Sequence, residues 1–265
     1  MKKIIFRWVK LVILVYCLIG IIVYNIQDRF ILHPVKIEAG KPYAFAQPFT
    51  ELNLNYDQET NLNVVEFKTT GRTADRAPFR VDRGTLTADG HEKDSAGPVK
   101  GVVLFFHDGR GNISDYAGMS KMITDQGYEF WIMDYPGFGK STGPMDEQRL
   151  YDLALVFYKL ARSRWKPLQI VLYGQSFGTG IAAQLASVRD CRRLILEQAY
   201  YSMTSKFRRF LFLYPVGGRF LHYHLPTYEY LDKVTATVSV IDGSDRLKRH
   251  LKGGKDEFIK EDDPF

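Results

Sequence analysis

Cysteine is scarce in this chain, and the sequence also lacks the usual metal-binding patterns. Its 265 residues include two cysteines, of which Cys17 lies inside a long apolar stretch and Cys191 in the globular part. A bridge between them is geometrically implausible, so the fold does not depend on disulfides. No Cys-x-x-Cys or His-Glu-x-x-His pattern occurs, and the six histidines are scattered apart from His222 and His224. The sequence therefore predicts no metal site and no other cofactor.

A concentrated basic region and internal repeats are missing as well. The 36 Lys and Arg against 30 Asp and Glu give a formal net charge of +6, and the basic residues are spread along the chain with local clusters at the N-terminus and near residue 249. Nucleic-acid binding would need basic residues massed on one element with a reading motif, so no nucleic-acid partner is expected. The length and the 45% hydrophobic content indicate one sizeable domain with an appendage.

The appendage is the N-terminus, MKKIIFRWVKLVILVYCLIGIIVYNIQDRF, in which four basic residues precede an uncharged apolar run. From Trp8 to Ile26 a helix would measure about 28 Å, close to the ~30 Å hydrocarbon core of a bilayer. The residues after the run lack the small-x-small site of a cleaved signal peptide, which is the alternative. We therefore expect residues 1–28 to be a signal anchor that spans the membrane once. The positive charge predicts a short cytoplasmic N-terminus, with the domain on the opposite, periplasmic or extracytoplasmic side.

The remaining chain divides by its hydrophobic pattern. Residues 29–50 carry prolines and no sustained period, as in a linker, and residues 51–265 form the domain. Two alternating segments, 51–56 and 61–67, predict paired strands. Residues 68–98 are polar and glycine-punctuated, which indicates an excursion. From Val99 onward, buried strands alternate with helices, so we predict a mostly parallel α/β sheet with helices on both faces. Residues 200–232 are rich in aromatics and indicate either a small cap over the sheet's C-terminal edge or an elaborate connection.

One motif carries chemistry. The stretch LYGQSFGTG (172–180) places Gly174 and Gly178 around Ser176, between a predicted strand and a predicted helix. A strand, a sharp turn and a helix expose such a serine on a strained elbow, and the helix N-terminus favours an incoming anion. We therefore predict that Ser176 is a nucleophile.

A second glycine-rich turn follows another central strand in FFHDGRGNISDY (105–116). Acyl transfer needs N–H donors aimed at the developing oxyanion, and a glycine turn lets the backbone approach a substrate closely. The backbone N–H group of Phe177 and that of Gly109 or its neighbour are the predicted oxyanion hole. His107, within the same turn, is predicted to be a buried hydrogen-bonding residue.

Four segments, FFHDGRGNIS, DYPGFGKSTG (134–143), YGQSFGTG and LILEQAYYSM (194–203), occur in an order that resembles the α/β-hydrolase superfamily. The chain is most similar to the membrane-anchored serine hydrolases related to alpha/beta-hydrolase domain-containing protein 13. The resemblance implies the α/β-hydrolase fold, Ser176 as nucleophile, and Phe177 and Gly109 as oxyanion donors. Asp108 departs from the family pattern, which has glycine there, and a carboxylate at this position would oppose the oxyanion unless it points away.

The other members of a catalytic triad are harder to find. The resemblance places the acid after a late strand, where VSVIDGSDRLKR (238–249) offers Asp245 or, less well matched, Asp242. It places the base some fifty residues later, but only twenty residues follow Asp245, and their one histidine is His250. His222 and His224 precede the acid and would have to reach in from the cap. The usual C-terminal histidine is missing, and the C-terminal end of the domain is therefore expected to be shortened.

Two functions remain open at this point. The first is a membrane-anchored serine hydrolase of the esterase or thioesterase type that forms an acyl-enzyme on Ser176 and takes a small-molecule or lipid-like acyl substrate; a peptidase on the same fold stays open. The second is a catalytically impaired or inactive homologue that serves as a binding or scaffold protein. If the last helix and strand are absent, an uncovered sheet edge should promote dimerisation or aggregation.

Overall fold

A computed structural model of the chain describes residues 2–69, 99–208 and 220–260. Most of the predicted polar excursion (68–98) and the middle of the predicted cap (200–232) lie outside the described residues. The described elements follow the predicted alternation of strands and helices, and their bounds are given below.

The chain begins with one long helix, α1 (Lys2–Ile31), whose most apolar 18-residue window has a mean hydropathy of 2.4 and buries none of its residues in the protein. Helices of this length and composition can cross a bilayer. Its last turn reaches three residues beyond the predicted end of the anchor. A two-residue strand, β1 (His33–Pro34), follows at once and pairs with β5 (Arg110–Gly111).

The domain is built on an eight-stranded sheet in the order β10-β9-β8-β7-β4-β6-β3-β2. Its strands are β2 (Phe49–Asn55), β3 (Asn61–Phe67), β4 (Gly101–Phe106), β6 (Tyr128–Met133), β7 (Ile170–Gln175), β8 (Arg193–Glu197), β9 (Thr237–Ile241) and β10 (Glu257–Ile259). The β2–β3 and β3–β6 pairs are antiparallel, and the other pairs of this sheet are parallel.

The order of the strands reverses at β4. From β4 the chain moves to β6 on one side, and it then returns to place β7 on the other side of β4. Ligands of open α/β sheets bind at such a switch point, outside the carboxyl ends of the strands, because the connections leave in opposite directions and open a crevice there. The fold therefore brings together the turns that follow β4 and β7.

Helices cover both faces of the sheet, as predicted. They are α2 (Ile113–Tyr116), α3 (Met119–Asp125), α4 (Glu147–Arg162), α5 (Phe177–Val188), α6 (Met203–Lys206) and α7 (Thr227–Leu231). Alternate residues of β4 divide between two cores: Val102, Leu104 and Phe106 join the residues of α4 and α5, while Val103 and Phe105 join Ile113 and Ile123 on the other face. A period of two directs neighbours to opposite faces, so a strand buried on both sides reads as the continuous apolar run GVVLFF.

The C-terminal end retains an outermost strand. A 3₁₀ helix, Asp245–His250, follows β9, and β10 then pairs in parallel with β9 through three residues. β10 therefore covers the edge of β9, and the expected dimerisation or aggregation stays a prediction.

Candidate active site

Ser176 lies in the sharp turn between β7 and α5. Its backbone has φ +46° and ψ −107°, a conformation that is costly for a residue with a side chain. The turn is held from both sides: the Ser176 N–H donates to Glu197 O (2.9 Å), and the Ser176 carbonyl accepts from Thr179 N–H (3.1 Å) and Oγ1 (2.6 Å). Strain of this kind persists only where neighbours enforce it, and here it presents the hydroxyl at the carboxyl edge of the sheet.

The two motif glycines flank Ser176 because backbone approaches backbone closely on each side. A Cβ on Gly174 would lie 2.5 Å from Gly178 O and 2.7 Å from Thr179 Cα. A Cβ on Gly178 would overlap the Phe106 carbonyl group, with its carbon at 2.5 Å. Side chains at these positions would push α5 away from β7 and β4, so the G-x-S-x-G pattern follows from packing at the elbow.

The turn after β4 contains Gly109, and a hydrogen bond from the buried His107 ring holds its backbone in place. His107 is buried and its Nδ1 lies 2.6 Å from Asp108 O. Because a carbonyl only accepts, Nδ1 carries the hydrogen, and burial lowers the pKa of His107 to about 4. Asp108 O belongs to the same peptide unit as the Gly109 N–H, so this hydrogen bond orients the donor. His107 is thus a buried hydrogen-bonding residue, as predicted.

Asp108, the departure from the family pattern, is engaged within its own turn. Its Oδ1 accepts hydrogen bonds from the Arg110 N–H (2.7 Å) and from the Tyr116 hydroxyl (2.6 Å). These donors satisfy the carboxylate locally and turn it toward Tyr116.

Asp134 lies beneath the same turn and does not form an ion pair with His107. Its Oδ1 accepts from the Ile113 N–H at 2.9 Å, while His107 Nε2 is 3.6 Å away, too far for a hydrogen bond. Burial raises the pKa of Asp134 to about 8, so both groups are mainly uncharged at neutral pH.

The segment that leaves α1 supports the predicted oxyanion turn. The His33 N–H donates to Gly109 O (2.7 Å) and the Val35 N–H donates to Gly111 O (3.0 Å). Two further bonds, Ile37 N–H to Gly139 O (2.8 Å) and Gly139 N–H to Val35 O (2.9 Å), tie it to the loop after β6. Residues 33–37, which we call the strap, were predicted to be part of a linker (29–50), and no periodicity in their sequence signals this pairing.

The end of α1 is also hydrogen-bonded to the described part of the predicted cap. The Gln27 side chain is buried, donates to Phe220 O (3.1 Å) and accepts from the His222 N–H (3.0 Å). His222 Nδ1 lies 2.8 Å from Asp28 Oδ1, and its ring contacts Tyr24 edge to face. The predicted anchor therefore ends directly beside the candidate site.

The structure does not bring the predicted triad partners together. Asp245 forms ion pairs with Lys248 (3.0 Å) and Lys260 (2.9 Å), and within the described ranges no hydrogen bond or ion pair joins it to a histidine. Asp242 directly follows β9 with φ +49°, and its N–H donates to Ile259 O.

The candidate histidines have other partners. His250 Nδ1 pairs with Asp232 at 2.8 Å, His222 pairs with Asp28, and His224 Nδ1 is 3.7 Å from Glu147. In the part of the chain that the structure describes, none of the three is hydrogen-bonded to Ser176. The roles of Asp245 and of these histidines in catalysis stay predictions.

A lysine that the sequence analysis missed does contact Ser176. Lys206, the last residue of α6, donates from Nζ to Ser176 Oγ at 3.1 Å. It lies 30 residues from Ser176 along the chain, and no local pattern in YSMTSKF distinguishes it from a surface lysine. Its position after β8 puts it at the same edge of the sheet as the elbow, which was the one signal available.

The sheet order, the switch point at β4 and the strained turn after β7 define an α/β hydrolase. The family model of the serine aminopeptidases, S33, matches residues 97–249, which is more than half of the chain. The chain belongs to this family of α/β hydrolases.

Several curated relatives match parts of the chain. Human protein ABHD12B is 37% identical over 88 residues, which cover 31% of this chain and 24% of the relative. The lysophosphatidylserine lipase ABHD12 of Danio rerio is 28% identical over 163 residues, which cover 57% of this chain and 40% of the relative. The alpha/beta hydrolase domain-containing protein aho-3 of Caenorhabditis elegans is 35% identical over 107 residues, covering 38% and 31%. The chain thus spans less than half the length of these relatives, and the particular likeness to domain-containing protein 13 stays a prediction.

Solved structures share the fold at low sequence identity. An α/β hydrolase from Vibrio vulnificus superposes with a TM-score of 0.57 at 18% identity, covering 80% of this chain and 72% of that one. An esterase from Pyrococcus furiosus superposes with a TM-score of 0.56 at 11% identity, covering 88% of this chain and 89% of the esterase.

Proposed function

We propose that this chain is a membrane-anchored serine hydrolase that cleaves acyl esters or thioesters through an acyl-enzyme on Ser176. The observation that carries the proposal is the strained backbone of Ser176 at the N-terminus of the twelve-residue helix α5. Ser176 does not act as a helix cap, because its side chain accepts no hydrogen bond from α5, the helix it precedes. Helix capping therefore does not explain a serine with φ +46° at this position. An exposed nucleophile is the function that this geometry serves in hydrolases.

The oxyanion hole in this proposal is formed by the N–H groups of Phe177 and Gly109. Phe177 is the first residue of α5, so its N–H has no partner within the helix. An ideal Cβ on Gly109 would be 3.6 Å from Phe177 Cβ, which supports the idea that the two donors serve one oxygen. Preorganised donors of this type each contribute about 3 kcal/mol to transition-state stabilisation.

The proposed substrate is an acyl lipid or another apolar acyl ester. The support is the path of the chain: a helix long and apolar enough to span a bilayer ends at Ile31, and the strap that follows is hydrogen-bonded to the oxyanion turn. With α1 in a bilayer, as proposed, this geometry would leave the candidate site close to the membrane surface. The zebrafish relative is named a lysophosphatidylserine lipase, which agrees with a lipid-like substrate. We further propose that the N-terminus is cytoplasmic and the domain lies on the opposite side, which protease protection in sealed vesicles tests.

Labelling with a fluorophosphonate tests the proposed nucleophile. The full chain, purified in detergent micelles, should gain one probe adduct by intact mass, and Ser176→Ala should gain none. Ser163→Ala is the matched control, because Ser163 ends α4 and is exposed, so this variant should label like the wild type. Acyl ester and peptide amide substrates should then be compared, since a preference for the amide would favour the peptidase alternative.

The alternative is a binding or scaffold protein that keeps the hydrolase fold. The observation in its favour is that each candidate histidine has a carboxylate partner away from Ser176. Folded wild-type protein, verified by a cooperative melt, that gains no adduct after prolonged labelling would support this alternative and contradict the hydrolase proposal.

A further inference from the structure

The hydroxyl of Ser176 has a nitrogen partner in place of a histidine. Lys206 Nζ is 3.1 Å from Ser176 Oγ, within the hydrogen-bonding range expected between a nucleophile and its base. It is the one side chain hydrogen-bonded to this hydroxyl within residues 2–69, 99–208 and 220–260. The serine therefore has a proton acceptor at hand if the amine is neutral.

The position of Lys206 is set by structure around it. The helix α6 is capped by Ser202 and Ser205, which exchange side-chain and backbone hydrogen bonds. Met203 in the same helix is buried, and its N–H donates to His224 O (3.0 Å). The Lys206 Nζ also lies over the Tyr200 ring, 5.3 Å from its centroid. These contacts restrict a side chain that would otherwise be mobile.

The surroundings of Lys206 lower the pKa of its amine below that of an ordinary lysine, although the residue as a whole is exposed. Burial lowers the pKa of Lys206, and Arg110 lowers it further, while Asp108 raises it. Arg110 and Asp108 are the two charged groups of the predicted oxyanion turn that shift this pKa. The Asp108 carboxylate accepts hydrogen bonds from the Tyr116 hydroxyl and the Arg110 N–H. The Tyr200 hydroxyl stays protonated because burial raises its pKa. The net shift is downward.

We propose that Lys206 is the general base that activates Ser176, so that the site operates as a Ser-Lys pair. This inference rests on the proposed function. Serine hydrolases with a lysine in place of the histidine are chemically competent, because a neutral amine accepts the hydroxyl proton as an imidazole does.

The proposed steps balance in atoms and protons. Neutral Lys206 takes the Ser176 proton as Oγ bonds to the acyl carbon, and the carbonyl electron pair moves onto the oxyanion. The tetrahedral intermediate collapses, the bond to the leaving oxygen or sulfur breaks, and the Lys206 ammonium returns the proton to it. A water then gives one proton to Lys206 and adds to the acyl carbon. Collapse releases the acid, and the proton returns to Ser176.

The test is the initial rate of fluorophosphonate labelling of the full chain between pH 6 and pH 10. Loss of a general base typically lowers rates by about 100-fold or more, so Lys206→Met should label at most about one hundredth as fast as the wild type. Lys206→Arg should be as slow, because a guanidinium keeps the positive charge and the donors but does not deprotonate. Lys233→Ala, which changes an exposed lysine after α7, should match the wild type.

The pH profile separates a base from a positioning residue. The wild-type rate should rise with pH through a midpoint below ~10.4, the ordinary lysine pKa, and this rise should disappear in Lys206→Met. Aminoethylation of Lys206→Cys, which rebuilds a lysine-like amine, should restore labelling, whereas the same treatment of Lys206→Met should not.

The two proposals fail in different ways. Wild type that labels at Ser176, together with Lys206→Met or Lys206→Arg at wild-type rate, would overturn the Ser-Lys pair and leave the nucleophile standing. A rate that falls about 100-fold in His250→Ala but not in Lys206→Met would assign the base to the histidine. Absence of labelling in folded wild type would overturn the proposed function itself. A melt of each variant verifies folding, and the wild-type pH midpoint tests the proposal even if a variant is unstable.

Discussion

Replacing Gly178 with alanine tests whether close packing at the elbow holds Ser176 in place. The added Cβ would lie 2.5 Å from the Phe106 carbonyl carbon and 2.7 Å from His107 O, and closer still to Phe106 O. These are backbone atoms at the end of β4, a strand buried on both faces. They have little freedom to move, so α5 has to shift.

The size of the effect follows from these distances. Ordinary contact with a Cβ begins near 3.4 Å, so α5 must withdraw by about 0.9 Å or more. Overpacking of this kind costs about 1–3 kcal/mol, and we expect the upper end because rigid backbone lines the site. For a domain of this size, ~3 kcal/mol lowers the Tm by roughly 6–12 °C. A displacement of ~1 Å at a reacting group costs about 100-fold in rate.

The assay combines thermal unfolding with the rate of fluorophosphonate labelling. Gly118→Ala is the matched control: Gly118 has φ −59° and ψ −26° before α3, and a Cβ there meets no atom within 4 Å. This control should keep the wild-type labelling rate and a Tm within about a degree of the wild type. Gly178→Ala should lose both stability and labelling.

Wild-type Tm and labelling in Gly178→Ala would refute the reasoning, because they would mean that α5 does not pack on β4 as tightly as the structure has it. A lower Tm with unchanged labelling would show that the elbow tolerates the shift and that its strain is not needed for reactivity.

Two pairs of ionisable groups, Asp134 with His107 and Lys140 with Glu51, give further predictions. The pKa of Asp134 is raised to about 8, so the stability that this group contributes is full below ~pH 4 and is lost as pH rises through about 8. His107, whose pKa is lowered to about 4, contributes stability above ~pH 6.5 that is lost as pH falls through about 4. Asp134→Asn should therefore weaken the loss of stability between pH 6 and pH 9, measured by urea unfolding at both values, and an unchanged pH slope would contradict the assignment. Lys140 bonds to Glu51 at 2.8 Å over the Tyr43 ring, and its side chain is 3% exposed against 22% for Glu51. Because an unpaired buried charge costs about 3–5 kcal/mol, Glu51→Gln, which strands the more buried lysine, should lower the free energy of unfolding more than Lys140→Met, and the reverse order would argue against this account.

The strands, most helices and the position of the elbow could be predicted from the sequence, because their signals are local. A continuous apolar run such as GVVLFF indicates a strand buried on both faces. An alternating run such as NLNVVEF indicates a strand that pairs with its neighbour. The G-x-S-x-G pattern around Ser176 is also local in the sequence, although Gly178 makes room for the Phe106 backbone of another strand. The N-terminal helix followed from composition and length alone.

The partners of Ser176 depend on the tertiary structure. Lys206 reaches the hydroxyl from 30 residues away, and the strap pairs with a turn about 77 residues further along. No periodicity marks such residues, because their chemistry comes from neighbours brought together at the carboxyl edge of the sheet. The sequence by itself determined that this is an α/β fold with a serine elbow and an apolar N-terminal helix. Only the packing of separate elements decided that a lysine lies beside the serine and that the histidines pair with carboxylates elsewhere.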